Sequence, residues 1–169
     1  MFEGGSPVVI GVVSDTHLRN NRGSWQFLNR LREESFQGAA MILHAGDLVD
    51  PAILEAFDPI PVVAVRGNMD PPSSGLPLKR IVHQAGFRIG LIHGWGSAAG
   101  LEERIRREFY DEDLDCLVFG HSHQCANHHY GRTLMFNPGS ACDPRQAPFP
   151  TVGRLYLEQT LHGEVLRCD

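Results

Sequence analysis

Seven side chains able to hold a metal ion recur in short, similar settings along the sequence. Asp15 and His17 lie in Ser14-Asp15-Thr16-His17, Asp47 in His44-Ala45-Gly46-Asp47, and Asn68 in Arg66-Gly67-Asn68-Met69-Asp70. His93 is followed by Gly94, and His121 and His123 lie in Gly120-His121-Ser122-His123. Carboxylates are hard, anionic donors that can bridge two cations, and imidazole suits Zn, Mn, Fe and Ni. A mixed nitrogen and oxygen set argues against Ca²⁺ or Mg²⁺ alone, which prefer oxygen. Seven donors exceed what one tetrahedral site uses. If one carboxylate is shared, two four-donor sites account for the whole set. Two metals about 3.5–4 Å apart form the clamp used for displacement at phosphorus. Taken singly the motifs are weak, since each also occurs as a capped loop, a turn or a surface histidine pair. Their order and their common setting carry the reading.

That setting is the end of a short apolar run. Val8–Val13, Met41–Leu43, Val62–Val65, Ile89–Ile92 and Cys116–Phe119 carry almost no charge, as expected of strands buried on both faces. Two segments between them have helical spacing. In Trp25–Phe36 the apolar positions are Trp25, Leu28, Leu31 and Phe36, and in Ala98–Phe109 they are Ala98, Leu101, Ile105 and Phe109. Glu102/Arg106 and Glu103/Arg107 add i,i+4 pairs to the second. Strands alternating with helices imply an α/β sheet, and open α/β sheets bind ligands beyond the carboxyl ends of their strands. The runs would then aim their donors at one crevice. Residues 125–137 and 152–168 read as strands with turns, expected as a second sheet packed on the first.

Composition limits the alternatives. A chain of 169 residues, 42% hydrophobic and 21% charged, is expected to be a single folded domain over 1–169, with residues 1–7 a loose N-terminal end. A net charge of −5 disfavours sequence-blind nucleic-acid binding. Lys79 is the single lysine, so Schiff-base chemistry has little to draw on. No apolar run approaches the ~20 residues of a membrane span. Glu3, not a basic stretch, precedes the first run, which argues against a signal peptide. Four scattered cysteines without a CxxC pair suit reduced thiols and a cytoplasmic location.

Taken in order, these motifs resemble those of the calcineurin-like metallophosphoesterases. Asn137-Pro138-Gly139-Ser140 and the compact size resemble the small prokaryotic phosphodiesterase branch of that family. The resemblance runs from Val8 to the end of the chain. It implies an α/β fold, a four-layer α/β/β/α sandwich of two facing mixed sheets flanked by helices. It implies that Asp15, His17 and His123 hold one divalent ion, that Asn68, His93 and His121 hold a second, and that Asp47 bridges them. A hydroxide between the ions would attack phosphorus. Mn²⁺ is the expected metal, with Ni²⁺, Fe²⁺ or Zn²⁺ suiting the same donors. Two divalent ions, two aspartates and a hydroxide leave one positive charge, which matches a small phosphodiester monoanion. Relatives that assemble make a homodimer or homotetramer an expectation.

Departures and neighbours sharpen this. The wider superfamily often has His after the motif asparagine, proposed to protonate the leaving group, where this chain has Met69. The small branch commonly lacks that His too. Asp70 either orients a neighbouring ligand or caps the following turn. Arg66 either binds substrate phosphate, whose geometry guanidinium matches, or pairs with Asp70. His44 is read as a hydrogen-bonded support and not a ligand. Gly94-Trp95-Gly96-Ser97-Ala98-Ala99 fits a loose dinucleotide pattern, but the next strand lacks the acid such a site needs. The loop is therefore read as a wall of the metal cleft, with Trp95 a substrate contact. His83, His128, His129 and His162 lie outside the motif order and are read as surface or satisfied histidines. A phosphomonoesterase of the same fold is one alternative. A non-catalytic binding scaffold, related to a retromer subunit that shares the fold, is another, and the intact donor set argues against it.

Overall fold

A computed structural model describes residues 6–169; residues 1–5 of the expected loose end lie outside the described residues, and Ser6 and Pro7 are exposed and without regular structure. The elements run β1 (Val8–Val13), α1 (Arg22–Glu34), β2 (Met41–His44), a 3₁₀ helix (Pro51–Phe57), β3 (Val62–Ala64), a 3₁₀ turn (Pro72–Ser74), β4 (Lys79–Gln84), β5 (Phe87–Ile92), α2 (Leu101–Arg107), β6 (Cys116–Val118), β7 (Ala126–Tyr130), β8 (Thr133–Asn137), β9 (Thr151–Leu157) and β10 (Leu161–Arg167).

All five apolar runs are strands, but they do not share one sheet. One sheet has the order β10-β9-β1-β2-β3 and the other β4-β5-β6-β8-β7. The strands β1, β2 and β3 are parallel, as are β5, β6 and β8; β9 and β10 extend the first sheet by antiparallel pairing on one side, and β4 and β7 flank the second antiparallel on both sides. The last third is divided as well, with β7 and β8 in the second sheet and β9 and β10 in the first. The expectation of one sheet of five runs with a second made from the last third is thus corrected. A strand buried on both faces has the same apolar pattern in either sheet, so pattern alone does not choose its neighbours.

The packing makes four layers. Ile10, Val12 and Leu43 of the first sheet meet Ile89, Leu91, Val118 and Phe136 of the second in an inner core. The outer face of the first sheet, through Val13 and Ile42, packs on Leu28 and Leu31 of α1 and on Ile53 and Phe57 of the 3₁₀ helix. The outer face of the second, through Ile92 and Leu117, packs on Leu101 and Ile105 of α2. Each such side chain contributes about 1.5–3 kcal/mol by burial. The α/β/β/α sandwich implied by the resemblance is the observed fold.

Neither helix coincides with its sequence stripe: α1 begins three residues earlier and ends two residues earlier, and α2 is shorter at both ends. Asn21 caps α1, its side chain accepting the Ser24 N–H at 3.0 Å. Phe36 lies beyond the C-terminal end of α1 but still joins its apolar face. The α2 helix starts only after Gly100, whose left-handed backbone (φ 73°) ends the preceding loop. Of the two expected charge pairs, Glu103–Arg107 forms. Glu102 instead meets His128 at 3.0 Å, and Arg106 lies 3.6 Å from the ring centroid of Tyr130. An i,i+4 pair is worth only ~0.2–0.5 kcal/mol, so partners offered by β7 outcompete it. The edge strand β4 has no apolar run, since it carries Lys79, Arg80 and His83, as edge strands do.

Candidate metal centre

The carboxyl ends of β1, β2, β3, β5 and β6 meet where the two sheets come together, and backbone bonds stitch their loops. The Asp15 and His17 N–H groups donate to the Gly46 and Asp47 carbonyls at 3.0 and 2.9 Å, and the Gly120 N–H donates to the His93 carbonyl at 3.1 Å. Gly120 is required at this seam, since a Cβ there would lie 2.0 Å from Ser14 Oγ. Gly67 has a similar constraint, 2.2 Å from Asp47 Oδ1.

All seven expected donors are brought into one connected cluster. His123 Nε2 lies 3.3 Å from both Asp15 Oδ1 and His17 Nε2. His93 Nε2 lies 3.4 Å from Asp47 Oδ2 and 3.1 Å from Asn68 Oδ1. Asn68 Oδ1 is also 3.1 Å from His121 Nδ1. Asp47 Oδ2, 3.8 Å from His17 Nε2, reaches both donor groups. Asp15 Oδ1 does so too, at 4.0 Å from His17 and 3.9 Å from His93. The donor atoms of Asp15, His17 and His123, and those of Asp15, Asp47 and His93, form two groups, each within a 4.8 Å span.

The outer nitrogen of three imidazoles is tied to a carbonyl. His93 Nδ1 donates to Ala45 O at 2.7 Å, His121 Nε2 to Gly96 O at 2.7 Å, and His123 Nδ1 to Asp143 O. A carbonyl only accepts, so each of these nitrogens carries a proton and the other nitrogen faces the cluster. This is the outer bond that orients a metal-binding imidazole and raises its basicity.

The backbone pays for this convergence. Asp15, His17, Asp47, His121 and His123 all have left-handed φ, between 49° and 68°. Each such conformation in a residue with a side chain costs of order 1–3 kcal/mol and persists only where surrounding structure holds it.

One atom tests directly whether a cation fits. Asp15 is fully buried, and its Oδ2 accepts from Ser14 Oγ at 2.6 Å and the His121 N–H at 3.0 Å. Among the described residues its Oδ1 has no hydrogen-bond partner. An unpartnered buried carboxylate oxygen is costly, and a divalent cation among these donors would satisfy it. The residues therefore fit a metal ion.

Electrostatics agree. Burial alone would raise the Asp15 carboxyl, but His123, His93 and Ser14 hold it below its ordinary value. Burial likewise acts against ionised Asp47, and His93 and the Met69 N–H overcome it. Burial would lower the His93 and His123 imidazoles, yet the facing carboxylates of Asp47 and Asp15 respectively raise them. Without metal, the two acids and the two imidazoles thus each favour the other's charged form.

His44 behaves differently. It is completely buried, and desolvation pushes its imidazole down to about 3, so it is neutral. Its Nδ1 accepts the Gly46 N–H at 3.1 Å, which leaves Nε2–H to donate to Thr16 Oγ1 at 3.1 Å. It braces the turns carrying Asp15 and Asp47 and contributes no donor to the cluster.

Asp70 is a brace of the same kind. Its Oδ2 accepts the Asp47 and Gly67 N–H groups at 2.9 and 2.7 Å, and Oδ1 accepts the Val49 N–H at 2.7 Å. It closes its own turn and positions Asp47 at once. The expected pairing with Arg66 is corrected: the carboxylate is occupied by backbone donors, and among the described residues the Arg66 guanidinium makes no ion pair or hydrogen bond. Arg66 and Trp95 instead line a cavity of about 260 Å³ that also touches His93.

Sequence reasoning left several residues without a role. Ser140 Oγ donates to the Asp15 carbonyl at 2.7 Å and accepts the Asp143 N–H at 2.9 Å. Asn137 Nδ2 donates to the Gly120 carbonyl at 3.0 Å. Asp143 supplies the carbonyl that turns His123. A signal was present, since Leu134–Phe136 is another apolar run ending in polar residues and glycine. Arg104 had no such signal; its guanidinium donates to the carbonyls of Trp95 (2.9 Å), Ala99 (2.9 Å) and Ser97, holding the loop after β5.

Comparison with known proteins bears on the same features. A family model described as the calcineurin-like phosphoesterase superfamily domain matches residues 8–160. A probable metallophosphoesterase of Methanothermobacter thermautotrophicus is 34% identical over 95% of this chain and 92% of its own length. A protein named phosphodiesterase from Methanocaldococcus jannaschii is 26% identical over 93% of this chain and 98% of its own. Among solved structures, a predicted phosphoesterase from Streptococcus pneumoniae superposes with a TM-score of 0.79 at 22% identity, covering 98% of this chain and 92% of that one.

Proposed function

The chain belongs to the calcineurin-like phosphoesterase superfamily, and from that premise we propose that it is a phosphodiesterase with two divalent metal ions, acting on a small phosphoester. The observation that carries this reading is the buried, unpartnered Asp15 Oδ1 at the meeting point of the donors. Asp15, His17 and His123 hold one ion, Asn68, His93 and His121 the other, and Asp47 stands between them. Bound divalent ions, Mn²⁺ first among those the donors suit, supply charge neutralisation at phosphoryl oxygens and water activated at neutral pH. The chain's own residues do the positioning. Ala45, Gly96 and Asp143 carbonyls fix the three rings, and Asp70 fixes the backbone of Asp47. Arg66 offers its uncommitted guanidinium to a phosphate oxygen.

Charge supports a diester over a monoester. A monoester carries about one more negative charge at neutral pH. Arg66 is one cation near the cluster, and Lys79, the other lining its cavity, is engaged by Glu108 at 2.6 Å (O) and 3.4 Å (Oε2). Met69 is 56% exposed and its thioether offers no proton, which favours esters whose alcohol departs unaided.

The test is hydrolysis of a chromogenic phosphodiester beside the matching monoester, using protein stripped and reloaded with Mn²⁺, with Asp47→Asn in parallel. Metal-dependent diester turnover that vanishes in the variant is the expected result. Preference for the monoester would make the protein a phosphomonoesterase. Bound metal without turnover of either would favour the scaffold reading.

A further inference from the structure

The cavity beside His93 has features that catalysis at phosphorus alone does not require. Its walls include Leu78, Ile92 and Trp95, and its exposed lining is mainly apolar. Leu78 and Trp95 stay 62% and 42% exposed, large apolar side chains left open to solvent on the same rim. The rim is braced. Arg104 donates to the Trp95 carbonyl from both Nε and Nη2, at 3.1 and 2.9 Å, and to the Ser97 and Ala99 carbonyls. On its other side the loop is held by His121 Nε2, which donates to Gly96 O at 2.7 Å. An exposed tryptophan on a loop tied at both ends is preorganised for contact with a ligand and loses little freedom when it binds one. Lys79 and Glu108 neutralise each other, which leaves Arg66, among the described residues, as an uncommitted charge on the lining. At about 260 Å³ the space lies just below the range of drug-sized pockets and suits one ring or a compact ring system.

We propose that this cavity receives a planar, apolar ester substituent of the substrate, stacked on Trp95 and walled by Leu78 and Ile92, while Arg66 takes a phosphate oxygen beside His93. The proposal rests on the phosphoesterase reading and adds the class of organic group that the enzyme prefers. Trp95 and Leu78 are then specificity residues, and Arg104 is a positioning residue that acts through the loop. An aromatic contact of this kind is worth roughly a tenfold change in affinity.

The experiment measures binding, so that it does not depend on turnover. Mn²⁺-loaded protein is titrated calorimetrically with diphenyl phosphate and with dimethyl phosphate. Diphenyl phosphate should bind about tenfold more tightly. Trp95→Ala should bring the ratio close to one, Trp95→Phe should keep most of it, and Leu78→Ser should reduce it in part. In a Trp25→Phe background, diphenyl phosphate should quench the emission of Trp95. Equal affinities in the unaltered protein, no binding of diphenyl phosphate, or an equal loss for both ligands in Trp95→Ala would each overturn the pocket. The two readings fail differently. Tight diphenyl phosphate binding with no ester hydrolysed would sink the phosphoesterase and keep the pocket. Equal kcat/KM on methyl and phenyl esters of one leaving group, with equal affinities, would do the reverse.

Discussion

The turns at the metal centre and the turns away from it solve the same backbone problem with different residues. Away from the centre, Gly38, Gly86 and Gly131 take left-handed φ of 78°, 83° and 59°, each with open space where a side chain would be. At the centre, Asp15, His17, Asp47, His121 and His123 take the same region while carrying buried or half-buried side chains. The peripheral turns are relaxed and local. The central ones are held by bonds from distant parts of the chain, such as Ser140 to Asp15 and Asp70 to Asp47. Three residues outside the donor set are exceptions: Val49 with φ 77°, Ala85 with φ 49° beside Gly86, and Arg145 with φ 51°. The difference teaches that strain gathers where donors from separate strands must point at one spot, and that their neighbours must be small or already bonded.

The largest effect should come from removing a central donor. His121→Ala should weaken one metal site by more than the ~10–100-fold that loss of an outer hydrogen bond costs, with the other site less affected. Metal titration followed by elemental analysis reads this, and equal weakening of both sites would contradict the division of donors. Next in size is a matched pair of glycine substitutions. Gly120→Ala drives a methyl to 2.0 Å from Ser14 Oγ and should cost about 2–4 kcal/mol of stability. Gly131→Ala meets nothing within 4 Å and should cost only the left-handed backbone term, about 1–2 kcal/mol. Equal shifts in urea midpoint would erase the contrast between centre and periphery.

A pH series should give a smaller and graded effect. His93 and His123 are raised without metal. Their contribution to stability is therefore complete below the unfolded imidazole value of about 6.5 and is lost as pH rises through their folded values. Metal binding must expel those protons, so metal affinity should rise with pH over the window in which metal-free protein loses stability. Thermal melts with and without Mn²⁺ at several pH values read both slopes, and a metal affinity that fell with rising pH would contradict the assignment. The smallest effect belongs to the surface. Glu103→Ala removes an exposed i,i+4 pair of α2 and should shift stability by no more than ~0.5 kcal/mol, with metal binding unchanged.

Much of the site was legible because its signals are local. A charge-free apolar run followed by Asp, His or Asn needs only a few residues to be recognised, and the seven donors so marked do converge. His44, read as a support, accepts the Gly46 N–H next to Asp47. Arg66 was less legible. Its nearest acid in sequence is Asp70, but the backbone N–H groups of Asp47, Val49 and Gly67 reach that carboxylate first. Arg104 was invisible, since its bonds go to backbone carbonyls that no residue type announces.

The order of motifs along the chain, the strand character of the runs and the kinds of metal donor are written in the sequence, because each depends on residues within a few positions of one another. Which strands are neighbours, that the donors gather at a seam between two sheets, and that Asp15 keeps one oxygen without a partner were decided only by the tertiary structure. Those properties depend on pairs such as Asp15 with His121 and Ser140, far apart in sequence. Their geometry arises from the packing of whole sheets, and no local pattern encodes it.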